Sequence, residues 1–289
     1  MIGIANLIPG ISGGTLALTL GIYYRIIYSC SDLIRTKGKE NITFLVVLSF
    51  GMLTSIVVLS KVLKIYLLDG ETGEACLTMF FIGLITGSVF SIKKEIKMRE
   101  SNNQGKTAKY FLFLCGFFSV LFLLIMESYN LSFDTSKYQD KKSIEYYLLI
   151  ASSGMISGSA VILPGISGSL LLLNLGVYKE IVIIVSDFNT TLCTIFGIFA
   201  AIGAGITTLL VKKAIDRHLI KFLYLSTGLI SGSVLQMLLS ITKLNLNPSL
   251  SFFIIPTILL IAGLHINKMS EHIKGEGTSG KVIYTEDRT

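Results

Sequence analysis

The stretch "NLIPGISGGTLALTLGIYYRI", Asn6 to Ile26, decides the fold. It is apolar enough for a membrane helix, yet Pro9, Gly10, Gly13 and Gly14 interrupt it. Proline removes a backbone donor and disrupts a helix, and glycine permits the turn that follows. The interruption occurs twice: "VILPGISGSLLLLNLGVYKEI" runs from Val161 to Ile181. Aligning Gly3 with Gly158 and reading without a gap to Leu33 and Phe188 gives 15 identities in 31 pairs. Apolar bias alone would match leucines. It would not match Pro-Gly-Ile-Ser-Gly, then Leu-Gly-x-Tyr, then Ser-Asp in register. The chain is therefore read as two structural halves, 1–142 and 143–268, within one membrane domain, 1–268.

Composition sets the class. Of 289 residues, 52% are hydrophobic and only 15% charged, which excludes an ordinary soluble domain. Apolar spans are expected at 42–68, 73–92, 110–129, 189–211, 220–242 and 250–267, each near the roughly 20 residues that cross a bilayer. A longer apolar block, 144–186, holds the second motif. No basic region followed by an apolar core and a cleavage site opens the chain, so no cleavable signal is expected. The tail 269–289 is polar and Gly-rich and reads as disordered.

Three spans separate the motifs, an odd number. If each motif region enters and leaves on one side, the halves lie upside down relative to each other, a transporter plan. Loop charge agrees. Loops 34–41, 93–109 and 212–221 and the chain end from Lys268 share one side under this scheme and hold 17 Lys/Arg, against 6 on the other. The positive-inside rule puts the richer side, and the C-terminus, in the cytoplasm. The net charge of +7 thus reflects basic loops, not nucleic-acid binding. One net crossing by the block 144–186 would spoil this asymmetry, so that block forms either a re-entrant hairpin or two full spans. The Pro-Gly break favours re-entry, which is tolerated where protein or a water-filled cavity covers the irregular backbone. The expected fold is an all-α integral membrane protein: an inverted repeat, each half a re-entrant helical hairpin plus about three transmembrane helices. Few residues precede the first motif, so its leading arm is either a stub or lies before the given start.

A helix broken inside a membrane presents free N–H groups and a favourable dipole end to an anion. The second half-helices should restart near Ser12 or Gly13 and near Ser167 or Gly168, after the breaks at Pro9-Gly10 and Pro164-Gly165. Small residues let an oxyanion approach, and Ser12, Thr15, Ser167 and Ser169 add hydroxyl donors. The plainer alternative is that these breaks only shape packing. Arg25 is the single arginine inside a motif region, and Glu180 is its repeat partner. Ionisable groups at membrane depth are functional candidates, although Arg and Lys also snorkel to the interface. Asp32 and Asp187 occupy matching places and read as helix-end caps or proton-linked groups. "GLITGS" (Gly83–Ser88), "GMISGS" (Gly154–Ser159) and "GLISGS" (Gly228–Ser233) repeat a Gly-x-x-x-Gly theme that reads as close helix packing.

Signatures of catalysis are missing: there is no HExxH, GxSxG or P-loop. The four cysteines are scattered singly, and His218, His265 and His272 have no partner at ligand spacing, so no metal or cofactor is expected.

At "GIANLIPGISGGTLALTLGIYYRII", echoed by "GSAVILPGISGSLLLLNLGVYKEIV", the sequence resembles the bacterial and archaeal polyprenyl phosphate transporters. The resemblance covers about residues 1–268. It implies a multi-pass plasma-membrane flippase returning undecaprenyl phosphate, the lipid carrier of cell-wall synthesis, from the outer to the inner leaflet. It also implies two inverted re-entrant hairpins. Tyr24 stands where many members have an acidic residue, Lys179 stands there in the second copy with Glu180 after it, and the second motif ends Gly-Ser instead of Gly-Gly. Under this reading Ser12, Gly13, Gly14, Thr15, Ser167, Gly168 and Ser169 contact the phosphate head and Arg25 is its counter-charge. Asp32, Glu180 and Asp187 are candidates for coupling to protons or sodium. A transporter of a small soluble anion, or an intramembrane enzyme acting on a lipid phosphate, are the competing readings.

Overall fold

A computed structural model describes residues 12–35, 38–68, 71–99, 106–129, 143–187, 189–242 and 256–268. The helix-breaking Pro9 and Gly10 and the tail 269–289 lie outside the described residues. Regular structure among the described residues is entirely α-helical. The first motif yields α1 (Gly13–Thr19) and α2 (Tyr23–Arg35). Next come α3 (Lys39–Leu68), α4 (Glu71–Arg99) and α5 (Lys106–Ser128). The second motif yields the end of α6 (Ile144–Ile162), then α7 (Gly168–Asn174) and α8 (Tyr178–Ser186). The chain continues in α9 (Thr190–Thr242) and a last helix, α10, over 256–268. Thr107–Met126 and Thr190–Thr242 are each long and apolar enough to cross a membrane, and the bent pair α7–α8 makes a third such segment if taken as one span.

The sequence repeat is also a backbone repeat. Ser12 and Ser167 precede α1 and α7 in nearly the same extended conformation, φ/ψ −95/124 and −97/127. Both helices last seven residues and end at a leucine, Leu20 or Leu175. Gly21 and Gly176 then adopt φ 75. Gly21 N–H donates to Leu18 O and Ile22 N–H to Ala17 O; Gly176 and Val177 do the same to Leu173 O and Leu172 O. These paired bonds form a Schellman ending, whose left-handed residue is normally glycine. The shared Leu-Gly-x-Tyr is therefore a helix stop followed by a new start, and α8 leaves α7 at 115°.

Two of the expected loops are smaller than the sequence suggested. Helix α4 continues to Arg99 and α5 begins at Lys106, so much of 93–109 is helical. Residues 212–221, expected as a loop, are helical except at His218 (φ −144, ψ 49), a kink where two helices join and on either side of which the expected spans 189–211 and 220–242 lie. No proline or glycine marks that position, so the usual sequence cause of a sharp bend is missing.

Glycine seams join the helices, as the Gly-x-x-x-Gly spacing implied. A Cβ on Gly83 of α4 would sit 2.1 Å from Leu260 O of α10, and one on Gly263 of α10 would sit 2.3 Å from Phe80 O. In a second seam, a Cβ on Gly228 of α9 would sit 2.1 Å from Phe113 O of α5, and one on Gly116 of α5 would sit 2.5 Å from Leu225 O. Helix α6 meets the first limb of α9 likewise, through Gly158 against Ala200 O (2.0 Å) and Gly203 against Met155 O (2.1 Å). Ser88 and Ser233, which close two of the glycine themes, each bond back to a carbonyl three residues earlier, Ile85 O and Ile230 O. Where lipid tails are as apolar as leucine, such close backbone contact is what holds helices together.

Large apolar side chains point outward. On α5 these are Phe111, Leu114, Phe118, Phe122 and Ile125; on α9 they are Ile198, Ile202, Ile206 and Leu210. Their helical spacing makes continuous stripes that suit hydrocarbon. Inside, the buried set mixes Leu16, Ile85, Leu223 and Ile230 with hydroxyl and amide side chains such as Thr15, Ser226, Gln236 and Asn267.

Candidate functional site

The two motifs meet. Leu163 is extended ahead of Pro164, as the residue before a proline tends to be, and α6 stops there. Gly165 follows with φ 86, the Pro-Gly order of a type II turn. A Cβ on Gly165 would also lie 2.6 Å from the Leu229 carbonyl carbon, so the position is closed to side chains twice over. The exposed carbonyls at the end of α6 need donors, and the first motif supplies them. Ser12 Oγ donates to Leu163 O (3.3 Å) and Tyr23 OH donates to Ile162 O (2.9 Å). In return, Gly165 N–H donates to Thr15 Oγ1 at 2.7 Å, in a buried bond. Gly14 lies against the same turn: a Cβ there would be 3.2 Å from Val161 O and 3.3 Å from Leu163 O.

The second motif contributes Ser167, Gly168 and Ser169 at the start of α7. Neither Ser12 nor Ser167 spends its hydroxyl on capping its own helix. Ser167 Oγ pairs with Ser169 Oγ at 2.9 Å, and Gly168 packs so close to Ser157 that a Cβ would be 2.9 Å from its Oγ. Ser12, Thr15 and Ser167 are buried, as are Gly13, Gly14 and Gly168. The structure thus brings Ser12, Gly14 and Thr15 onto the Pro164-Gly165 turn, with Ser167–Ser169 just beyond it. The cluster offers hydroxyls and helix-start N–H groups with no carboxylate among the residues named, a donor set suited to an oxyanion.

The charged candidates lie elsewhere. Arg25 is exposed on α2, its guanidinium 4.3 Å from the centre of the Phe44 ring. Asp32 pairs with Lys212 at 3.3 Å and accepts from Asn41 Nδ2, tying α2 to α3 and α9. Glu180 accepts from Tyr146 OH, tying α8 to α6. Asp187 caps α8, its N–H donating to Ile183 O at 2.9 Å, and is exposed. The repeat does not extend to the Tyr28 contact, because the repeat position of Tyr28 carries Ile183.

Tyr23 was not singled out from sequence. It is 2% exposed, stacks on Phe222 and bonds across the motifs. Its presence in both copies of Leu-Gly-x-Tyr was the available signal. Asn174 was missed as well: at the repeat position of Thr19, it is buried and sends Nδ2 to Leu123 O at 3.0 Å.

Doubled broken helices, glycine seams and outward apolar stripes define a helical membrane protein. The chain belongs to the undecaprenyl phosphate translocase-like family, whose model matches residues 2–248. A polyprenyl-phosphate transporter of Vibrio cholerae serotype O1 is 28% identical over 245 residues, covering 80% of this chain and 73% of that protein. A polyprenyl-phosphate transporter of Staphylococcus aureus is 28% identical over 240 residues, covering 80% and 81%. No solved structure matches the chain. The relatives are named as transporters, not enzymes, in line with the missing signatures of catalysis.

Proposed function

We propose that this protein carries a polyprenyl phosphate such as undecaprenyl phosphate across the cell membrane, from outer to inner leaflet, by alternating access. The observation that carries this reading is the interlock of the two motifs, Thr15 with the Gly165 N–H and Ser12 with Leu163 O, in a chain of this family. The substrate's phosphate must cross hydrocarbon, whereas its tail need not leave it. A polar cradle for the head is therefore what such a protein must supply. Ser12, Gly13, Gly14, Thr15, Ser167, Gly168 and Ser169 form that cradle, beside the Pro164-Gly165 turn. Arg25, exposed on α2 with its guanidinium over the Phe44 ring, stands outside this cradle, so the head is held by hydroxyl and N–H donors.

The glycine seams support an inverted repeat. Gly83 and Gly87 meet Leu260 and Asn267 in the same order along both chains, so α4 runs parallel to α10. Gly228 and Gly232 meet Phe113 and Val120 in the same way, so α9's second limb runs parallel to α5. Successive membrane spans cross in opposite senses, so with α4 and α5 as successive spans, α4 and its repeat equivalent, the second limb of α9, point in opposite directions. Inverted halves around one midplane site are the plan of many secondary transporters. Residues 1–268 then act as one membrane unit, with basic loops and C-terminus cytoplasmic. Asp32, Glu180 and Asp187 are the coupling candidates for protons or sodium. Replacing a coupling carboxylate by its amide abolishes the dependence of transport on an imposed gradient; unaltered gradient dependence in all three variants contradicts their role.

Reconstitution tests the proposal. Liposomes holding the protein exchange labelled undecaprenyl phosphate between leaflets faster than empty ones, and the Ser12→Ala/Ser167→Ala variant loses most of that gain. Exchange no faster than in empty liposomes, with and without a pH or sodium gradient, contradicts it.

A further inference from the structure

The bend in α9 creates a cavity that the paired motifs do not use. Around His218 the helix opens a space of about 550 Å³ walled by Tyr24 and Tyr28 of α2, Arg99 of α4, Lys109 of α5, and Arg217 and Lys221 beside the bend. Four cations thus face one lining carboxylate, Asp216, which accepts a hydrogen bond from Tyr28. Glu95, one turn back on α4, pairs with Arg99 at 3.1 Å. Among the described residues named here, Arg99, Lys109, Arg217 and Lys221 outnumber the carboxylates Asp216 and Glu95. The floor is apolar: Ile215, Leu219 and Ile220.

A second cavity of about 540 Å³ adjoins along the same helices. Lys97 lies two residues before Arg99, and Tyr110 follows Lys109 directly. Its walls are Ile96, Tyr110, Phe113 and Tyr224 together with Lys93, Lys97 and Thr227, and the two tyrosine rings stand 5.9 Å apart edge to face. A cationic chamber beside a crevice of rings and aliphatic carbon edged by Lys93 and Lys97 suits one ligand form: an anionic head on a long apolar chain. Guanidinium forks bind phosphate oxygens in pairs, and cations grouped in a concave wall reinforce each other's field. Basic pockets between membrane helices are a recurring way of holding lipid head groups.

We propose that the cavity at the α9 bend is a separate binding site for a phosphomonoester head group, with its apolar chain in the crevice between α4, α5 and the second limb of α9. Arg217 and Lys221 hold the phosphate from the bend, and Lys109 holds it from α5. No residue lines both this cavity and the motif cluster. The site therefore receives the head after, or before, the motifs handle it, where residues of the two basic segments 93–109 and 212–221 gather.

Photo-crosslinking resolves this site from the motifs. Purified full-length protein is irradiated with a diazirine-bearing dodecyl phosphate, and adducts are mapped by mass spectrometry. Adducts are expected within 106–113 and 215–227. They fall about tenfold or more at fixed probe concentration in Arg217→Gln/Lys221→Gln, as expected for losing charge-assisted bonds. The Lys109→Gln variant, on a different helix, shows the same fall and serves if the double variant does not fold. Competition by dodecyl phosphate but not by inorganic phosphate supports the proposal; equally effective competition by inorganic phosphate, which has no chain, overturns the assignment of a chain to the crevice. Equal labelling by the matching dodecyl alcohol, or labelling unchanged in the Gln variants, overturns the proposal. Ser12→Ala/Ser167→Ala leaves this labelling intact; its loss there would refute a separate site and leave the leaflet-exchange result to stand or fall by itself.

Discussion

At the residue scale, the interlock rests on a few atoms. Gly165 combines a left-handed φ of 86 with a neighbour 2.6 Å from any Cβ. Gly165→Ala should cost about 1–3 kcal/mol from backbone strain alone. Gly197, in α9, has open space around it, so Gly197→Ala should be neutral or stabilise by about 0.5–1 kcal/mol through helix propensity. Thermal unfolding in detergent distinguishes them; equal midpoints would contradict this account of Gly165. Tyr23→Phe removes the donor to Ile162 O while keeping the stack on Phe222. It should lower stability by about 1 kcal/mol in the same assay, and no change would show that the hydroxyl is dispensable. The glycines and serines of this site were legible because they occur twice. Thr15 as the acceptor for the Gly165 N–H was not, because its repeat partner is Leu170 and the contact has no mirror image.

Among elements, the seams carry the architecture. Gly83→Ala and Gly228→Ala each place a methyl about 2.1 Å from a carbonyl oxygen of the facing helix. The helices must move apart, and each variant should lose about 1–3 kcal/mol, in the same direction for both seams. Unshifted unfolding midpoints for both would mean that the seams are looser than described. The glycine themes could be read from spacing alone, since Gly-x-x-x-Gly puts two small residues on one helix face. Which helices they join could not, because α4 pairs with α10 and α9 with α5, far apart in sequence. The bend at His218 was equally hidden. The charged run 212–221 looked like a loop, yet the backbone stays helical on either side of one residue. Its basic residues then line a cavity where a loop would have left them in solvent.

Across the whole molecule, odd span number, repeat and loop charge together pointed to two opposed halves before any coordinates. The structure adds that the motifs touch, that α2 is tied to α9 through Asp32 and Lys212, and that basic residues from α4, α5 and α9 surround one chamber. Labelling from each side checks the topology: cysteines placed in 100–105 should react only from the cytoplasm, and external reaction would contradict the orientation. The central claim is that the paired motifs form one phosphate cradle reached alternately from both leaflets. Its most direct test uses a background with the four native cysteines replaced, single cysteines at Ser12 or Ser167, and an impermeant thiol reagent applied to either side of reconstituted vesicles. The account predicts that each position reacts from both sides, and that undecaprenyl phosphate protects both. Reaction of Ser12→Cys from one side only and Ser167→Cys from the other only, with no protection by the lipid, would contradict it.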